Sequence, residues 1–197
     1  MKTQLTLIAR LSILAAAGAL LSNCAHEPVT QTNAANASAS QISSDSRTAL
    51  NRLYASNPSA KRLGQKASGI LVFPHIMKGG FVIGAEGGNG ALFGKGGGSV
   101  KGYYQTAGAS WGLQAGVQKY GYALFLMSPS DVANLDRAAG WEVGSSPSLV
   151  VVDKGAATNL TTTTVNKGVY AYVFDQKGLM GGLGLKGTKI TRIHPGR

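Results

Sequence analysis

Phe81-Val82-Ile83-Gly84-Ala85-Glu86-Gly87-Gly88-Asn89-Gly90-Ala91-Leu92-Phe93 is the stretch that decides the fold class of this chain. Two apolar triplets, 81–83 and 91–93, flank a run dominated by glycine. This predicts two short strands joined by a turn at Gly87-Gly88-Asn89-Gly90. A second turn follows at Gly94 to Gly98. Upstream, Ile70-Leu71-Val72-Phe73 is a short apolar strand stopped by Pro74. Downstream, residues 100–106, 110–117, 120–127, 148–152, 169–175, 179–185 and 189–193 also read as strands. Glycines inside strands, as at Gly108, Gly112, Gly116, Gly182 and Gly184, permit either a tight bend or close approach of a ligand to main chain. The expectation is an α+β fold whose sheet is mainly antiparallel and strongly curved or barrel-like.

Helix signals are fewer. Ser44 or Asp45 caps a segment in which Ala49, Leu50, Leu53 and Tyr54 recur at helical spacing, flanked by Arg47 and Arg52 and broken at Asn57-Pro58. Pro58 suits the first turn of a second short helix, where Leu63 and Ala67 face inward and Lys61, Arg62 and Lys66 face elsewhere. Ser128, Pro129 and Asp131 start one further helix, about 129–139, which Gly140 closes.

The first 23 residues have the character of a targeting segment. Lys2 and Arg10 give a positive start, and 11–21 is an apolar run too short to span a bilayer. The run Leu21-Ser22-Asn23-Cys24 resembles the lipobox of bacterial lipoproteins, in which the cysteine becomes residue one and is acylated with chains such as palmitate. Several chains give stable anchoring, each buried methylene contributing about 0.8 kcal/mol. Cys24 is therefore the expected lipid anchor. Ala25 follows it, where an inner-membrane retention signal would resemble Asp, so the expected location is the outer membrane, facing the periplasm. Residues 24–44 are small and polar and predict a disordered tether; about 20 such residues reach roughly 25 Å. A single domain, 45–197, completes the chain.

Without Lys2 and Arg10 the basic residues number 17 against 8 acidic, a net charge of +9. That balance favours an anionic partner. The cations are scattered, the densest group being Lys61, Arg62 and Lys66, and nucleic acid is an unsuitable partner for an anchored envelope protein. Cys24 is the sole thiol, so the fold rests on its apolar core.

Chemical motifs lead nowhere firm. Gly108-Ala109-Ser110-Trp111-Gly112 has the spacing of a nucleophile elbow, with His194 downstream, but Trp-Gly-Leu-Gln after Ser110 makes a poor helix. Gly182-Leu183-Gly184-Leu185-Lys186-Gly187 lacks the helix and acidic residue of a dinucleotide site. His26, His75 and His194 are isolated, and no acidic pair has ligand spacing. Glu86 is expected to pair with Lys78 or Lys101. No catalytic residue, metal or cofactor is expected.

Several strings in order resemble the SYLF lipid-binding domain. They are Gly69-Ile70-Leu71-Val72-Phe73-Pro74, Lys78-Gly79-Gly80-Phe81, Gly84-Ala85-Glu86-Gly87 and Tyr103-Tyr104. Gly108 to Gly116, Tyr170-Ala171-Tyr172-Val173-Phe174 and Gln176-Lys177-Gly178-Leu179-Met180 continue the series. The resemblance spans residues 45–193 and implies a non-enzymatic membrane-binding module. Eukaryotic members bind phosphoinositides, and some act in actin assembly at membranes. Membrane contact there involves an N-terminal amphipathic helix and basic residues, which by region implicates Arg52, Lys61, Arg62 and Lys66 in headgroup binding. Cardiolipin or phosphatidylglycerol would satisfy the same electrostatics in an envelope. The expected function is thus a lipid-anchored protein that binds anionic membrane lipids. One alternative is a structural or partner-binding scaffold using Trp111, Trp141, Tyr103 or Tyr104; a weaker one is a serine hydrolase using Ser110.

Overall fold

The computed structural model describes residues 37–80, 83–111, 116–136, 140–142, 149–152, 168–178 and 188–196. Cys24, the targeting segment, the tether up to residue 36 and the expected strand 179–185 lie outside them. Among the described residues, two helices, α1 (Ala39–Ser56) and α2 (Pro58–Lys66), precede eight strands. These are β1 (Gly69–Gly80), β2 (Ile83–Phe93), β3 (Val100–Trp111), β4 (Gly116–Leu126), β5 (Trp141–Glu142), β6 (Leu149–Val152), β7 (Val169–Gly178) and β8 (Thr188–Ile193). A short helix, α3 (Pro129–Asn134), follows β4. One curved sheet holds all eight strands in the order β5-β8-β3-β2-β1-β4-β7-β6. Every ladder is antiparallel except β6 with β7. The expected α+β class is thereby found.

α1 begins earlier than the sequence suggests. Ser38, not Ser44 or Asp45, is its N-cap, accepting from the Gln41 amide at 3.2 Å. Residues 39–44, assigned above to the tether, are helical because Ile42 starts the buried stripe that continues through Ser46, Ala49, Leu50 and Leu53. The Ala39 amide also donates to the Gly196 carbonyl at 2.9 Å, tying the two ends of the domain together. Asn57 ends α1 and caps α2, its side chain accepting from the Ala60 amide at 3.0 Å, with Pro58 in the first turn. α3 has the expected Ser128–Asp131 capping box and Pro129, but it stops at Asn134, short of 139. Gly140 lies beyond it with φ 76°.

β3 runs across the expected gap at 107–109, β4 begins at Gly116 instead of 120, and β5 is a strand the sequence reading did not include. The sheet departs from that reading at two further places. β1 does not stop at Pro74. Its register shifts between Phe73 and Ile76 against β4, and between Val72 and Met77 against β2. A bulge is where a strand tolerates a residue without an N–H, so pairing resumes on the far side. Second, Gly87 to Gly90 form no turn. β2 pairs with β3 without a break from Gly84 to Leu92. The glycines serve close approach to β1, because a Cβ on Gly88 or Gly90 would strike the His75 or Val72 carbonyl oxygen. The expected turn at Gly94 to Gly98 is present, and Gly96 and Gly97 have φ of 65° and 80°, which glycine adopts without strain.

Residues alternate between two cores. On the outer face, Ile70, Val72, Phe93, Phe125, Tyr170, Tyr172 and Phe174 pack beneath α1 and α2. On the inner face, Leu71, Phe73, Ile76, Tyr104, Tyr120, Tyr122 and Leu124 form a second cluster that includes Leu135 after α3. Arg47 fastens α1 to the glycine turn. Its guanidinium stacks 4.0 Å over Phe93 and donates to the Gly97 and Gly98 carbonyls.

Candidate functional site

The basic side chains singled out in the sequence stand on helix faces turned from the sheet. In α1, burial of Ala49, Leu50 and Leu53 leaves Arg52 outside, where its Nη2 lies 3.3 Å from Asp175 Oδ2 in β7. In α2, burial of Ala60, Leu63 and Gly64 turns Lys61, Arg62 and Lys66 outward. Arg62 donates to Ser59 Oγ at 2.8 Å. Ala60 and Leu63 of α2 share the outer core with Tyr172 of β7. Burial raises the pKa of the Tyr172 phenol, and the charge of Arg62 opposes that rise. Arg52 is therefore brought to β7, the strand whose Tyr172 packs with the helix that carries Arg62. Lys61 and Lys66 form no ion pair among the described residues.

Two further cations join them from the sheet. Lys119 in β4 and Lys177 in β7 are register partners, both exposed, on the same outer face as Phe125 and Tyr172. The alternation Val117-Gln118-Lys119-Tyr120 marks Lys119 as facing opposite to Tyr120. Nothing local marks Lys177 as its partner, because the pairing joins strands distant in sequence.

The inner face carries a polar row at the same end of the sheet. Register aligns Gln118, Lys78, Glu86, Gly108 and Thr188 across five strands. Glu86 accepts from the Tyr120 hydroxyl and from Thr188 Oγ1, each at 2.9 Å. The Tyr120 phenol is pushed well above its ordinary range by burial, then by the charge and hydrogen bond of Glu86. Tyr122 donates to Thr106 Oγ1 at 2.9 Å. The expected pairing of Glu86 with Lys78 or Lys101 does not occur; its two carboxylate oxygens accept from hydroxyls instead.

Lys78 is 3% exposed and makes no ion pair among the described residues. Its register neighbour Glu86 is not within ion-pair distance, and a buried ammonium left without a direct ion pair lowers stability. Lys78→Met, of similar length, will raise the unfolding free energy by about 1 kcal/mol, seen as a thermal midpoint about 2–4 °C higher. A lower midpoint would mean that the ammonium stabilises the fold.

The hydrolase reading finds no geometry. Ser110 lies within β3, opposite Gly84. His194 follows Ile193, which pairs with Tyr103, so seven residues of β3, roughly 23 Å, separate the two levels. As scaffold-interface candidates, Tyr104 is buried and donates to Asp136 Oδ1 at 2.7 Å, and Tyr103 shares a 2.9 Å hydrogen bond with Ser43 of α1. Trp111 and Trp141 lie in β3 and β5, and their side chains are outside the description. Among the described residues no group of three or more His, Cys, Asp and Glu could hold a metal.

Residues 107–194 match a family model described as Ysc84, Las17-binding protein actin regulator. The match over this segment is consistent with a SYLF domain. It contains β4 through β8 and the last part of β3, whereas α1, α2, β1 and β2 precede it. No curated protein matches the chain. Lys119 and Lys177 thus fall inside the matched segment, and Arg52, Lys61, Arg62 and Lys66 fall before it.

Proposed function

We propose that this protein is an envelope lipoprotein, held through acylated Cys24 at the outer membrane and facing the periplasm, whose SYLF domain binds anionic membrane lipids. The observation that carries the reading is the exposure of Arg52, Lys61, Arg62 and Lys66 on the outer faces of α1 and α2. SYLF proteins are associated with lipid and actin-regulator binding and are not an enzyme family, which supports a binding role. Each cation near an anionic surface contributes about 1 kcal/mol, and tethering raises the effective concentration of that surface. Phosphoinositides, cardiolipin and phosphatidylglycerol all present the required negative headgroup.

Flotation of the full chain with phosphatidylcholine vesicles, with and without phosphatidylglycerol or cardiolipin, tests this. Stronger binding to the anionic vesicles is expected, weakening as salt screens the contacts. The Lys61→Ala, Arg62→Ala, Lys66→Ala triple variant will bind anionic vesicles at least about tenfold more weakly. Binding that ignores vesicle charge would reject the reading.

A further inference from the structure

Along β7 the outer face of the domain collects cations from four separate elements. Arg62 stands on α2, whose Ala60 and Leu63 pack with Tyr172, and Arg52 of α1 meets Asp175. Lys177 lies two residues further along and faces Lys119 of β4 directly. From Tyr172 to Lys177 is roughly 16 Å of strand. Four cations therefore share a narrow band in which Asp175 is the acid engaged.

The Lys119–Lys177 pair is the least self-sufficient part of that band. Like charges directly across an antiparallel ladder repel and are destabilising, and among the described residues neither lysine has an ion-pair partner. The bulge marked by Asp175, whose φ is 53°, lets β7 resume with Lys177 opposite Lys119. Beside them, Val117 is, among the described residues, the large hydrophobic one left 60% exposed, two positions from Lys119 on the same face. Its cross-strand partner is Gly79, which supplies no side chain to cover it. An exposed apolar side chain flanked by lysines whose stems can bend back is the pattern of a surface that sits at a lipid–water boundary.

We propose that Lys119, Lys177 and Val117 form a second membrane-contacting surface, continuous with Arg52 and Arg62, in which the lysines bind anionic headgroups and Val117 enters the acyl boundary. This rests on the lipid-binding reading above and assigns it residues from the matched segment itself. The domain then lies on the bilayer along β7 and the two helices instead of touching it through the helices alone. A bilayer fits better than an acidic protein because charge and an unpaired apolar side chain occur together.

Vesicle flotation of the full chain separates the possibilities, since all variants share the same leader. Lys119→Gln with Lys177→Gln will weaken binding to phosphatidylglycerol vesicles about tenfold, and Lys119→Arg with Lys177→Arg will keep it. Val117→Asp will also weaken it. If the double Gln variant binds as wild type while the Lys61, Arg62, Lys66 triple variant does not, this surface is overturned and the helix surface stands. If wild type ignores vesicle charge, the lipid-binding reading fails and this proposal with it. If wild type binds soluble polyglutamate in preference to vesicles, and the double Gln variant loses that binding, the occupant is an acidic protein and the bilayer assignment is overturned.

Discussion

Phe125→Ala will lower the unfolding free energy by about 3–5 kcal/mol, measured by urea denaturation. Phe125 has no exposed surface and stands on β4, which pairs on one side with β1 and on the other with β7. Its ring meets Tyr172 edge-on at 5.4 Å and lies 6.5 Å from Tyr54 of α1. Truncation leaves a void between sheet and helices. The strands that bound it are fixed by ladder hydrogen bonds, so the void cannot collapse, and such sites fall at the costly end of the range. Because a domain is stable by only about 5–15 kcal/mol, this one change removes a large share. It will also loosen α1 and α2, which carry Arg52, Lys61, Arg62 and Lys66, so vesicle binding will fall before global unfolding. A loss under about 1 kcal/mol would mean that the helices are not seated on Phe125.

Gly90→Ala will cost about 2–3 kcal/mol, although it adds one carbon atom. A Cβ at Gly90 would stand 2.4 Å from the Val72 carbonyl oxygen and 2.7 Å from the Phe73 ring. The oxygen belongs to β1 beside its bulge and cannot retreat without breaking pairing on both sides of that strand. Gly79→Ala is the matched control. There the nearest atoms to a new Cβ, the Gly116 carbonyl oxygen and Val117 Cγ2, are 3.9 Å away. With space available, alanine mainly restricts the unfolded chain, so Gly79→Ala will be neutral or stabilising by up to about 1 kcal/mol. Equal midpoints for the two variants in urea would refute close approach as the reason for glycine at position 90.

The contrast between these glycines shows how far the chain can be read by itself. Gly90 and Gly79 both sit among other glycines, and no local pattern separates them. Only the inner-face crowding at the β1 bulge and the open outer face do so. The same limit explains why Gly87 to Gly90 suggest a turn yet lie in β2, and why Pro74 suggests a stop yet lies in a bulge. A turn signal states what a segment tolerates, whereas a partner strand on each side decides what it adopts.

The candidate site divides in the same way. Asn57-Pro58 and the Ser128-Pro129-Asp131 box are legible because a cap acts within four residues of itself. The outward setting of Lys61, Arg62 and Lys66 is legible too, because helical period alone separates them from Leu63. The apolar triplets and abundant glycine likewise fix a curved antiparallel sheet as the class. Tertiary structure alone decides that Lys119 faces Lys177, that Arg52 reaches Asp175, and that Lys78 is enclosed beside a carboxylate already engaged by hydroxyls. Those relations join residues tens of positions apart, and side-chain alternation names a face but never the strand that will lie beside it.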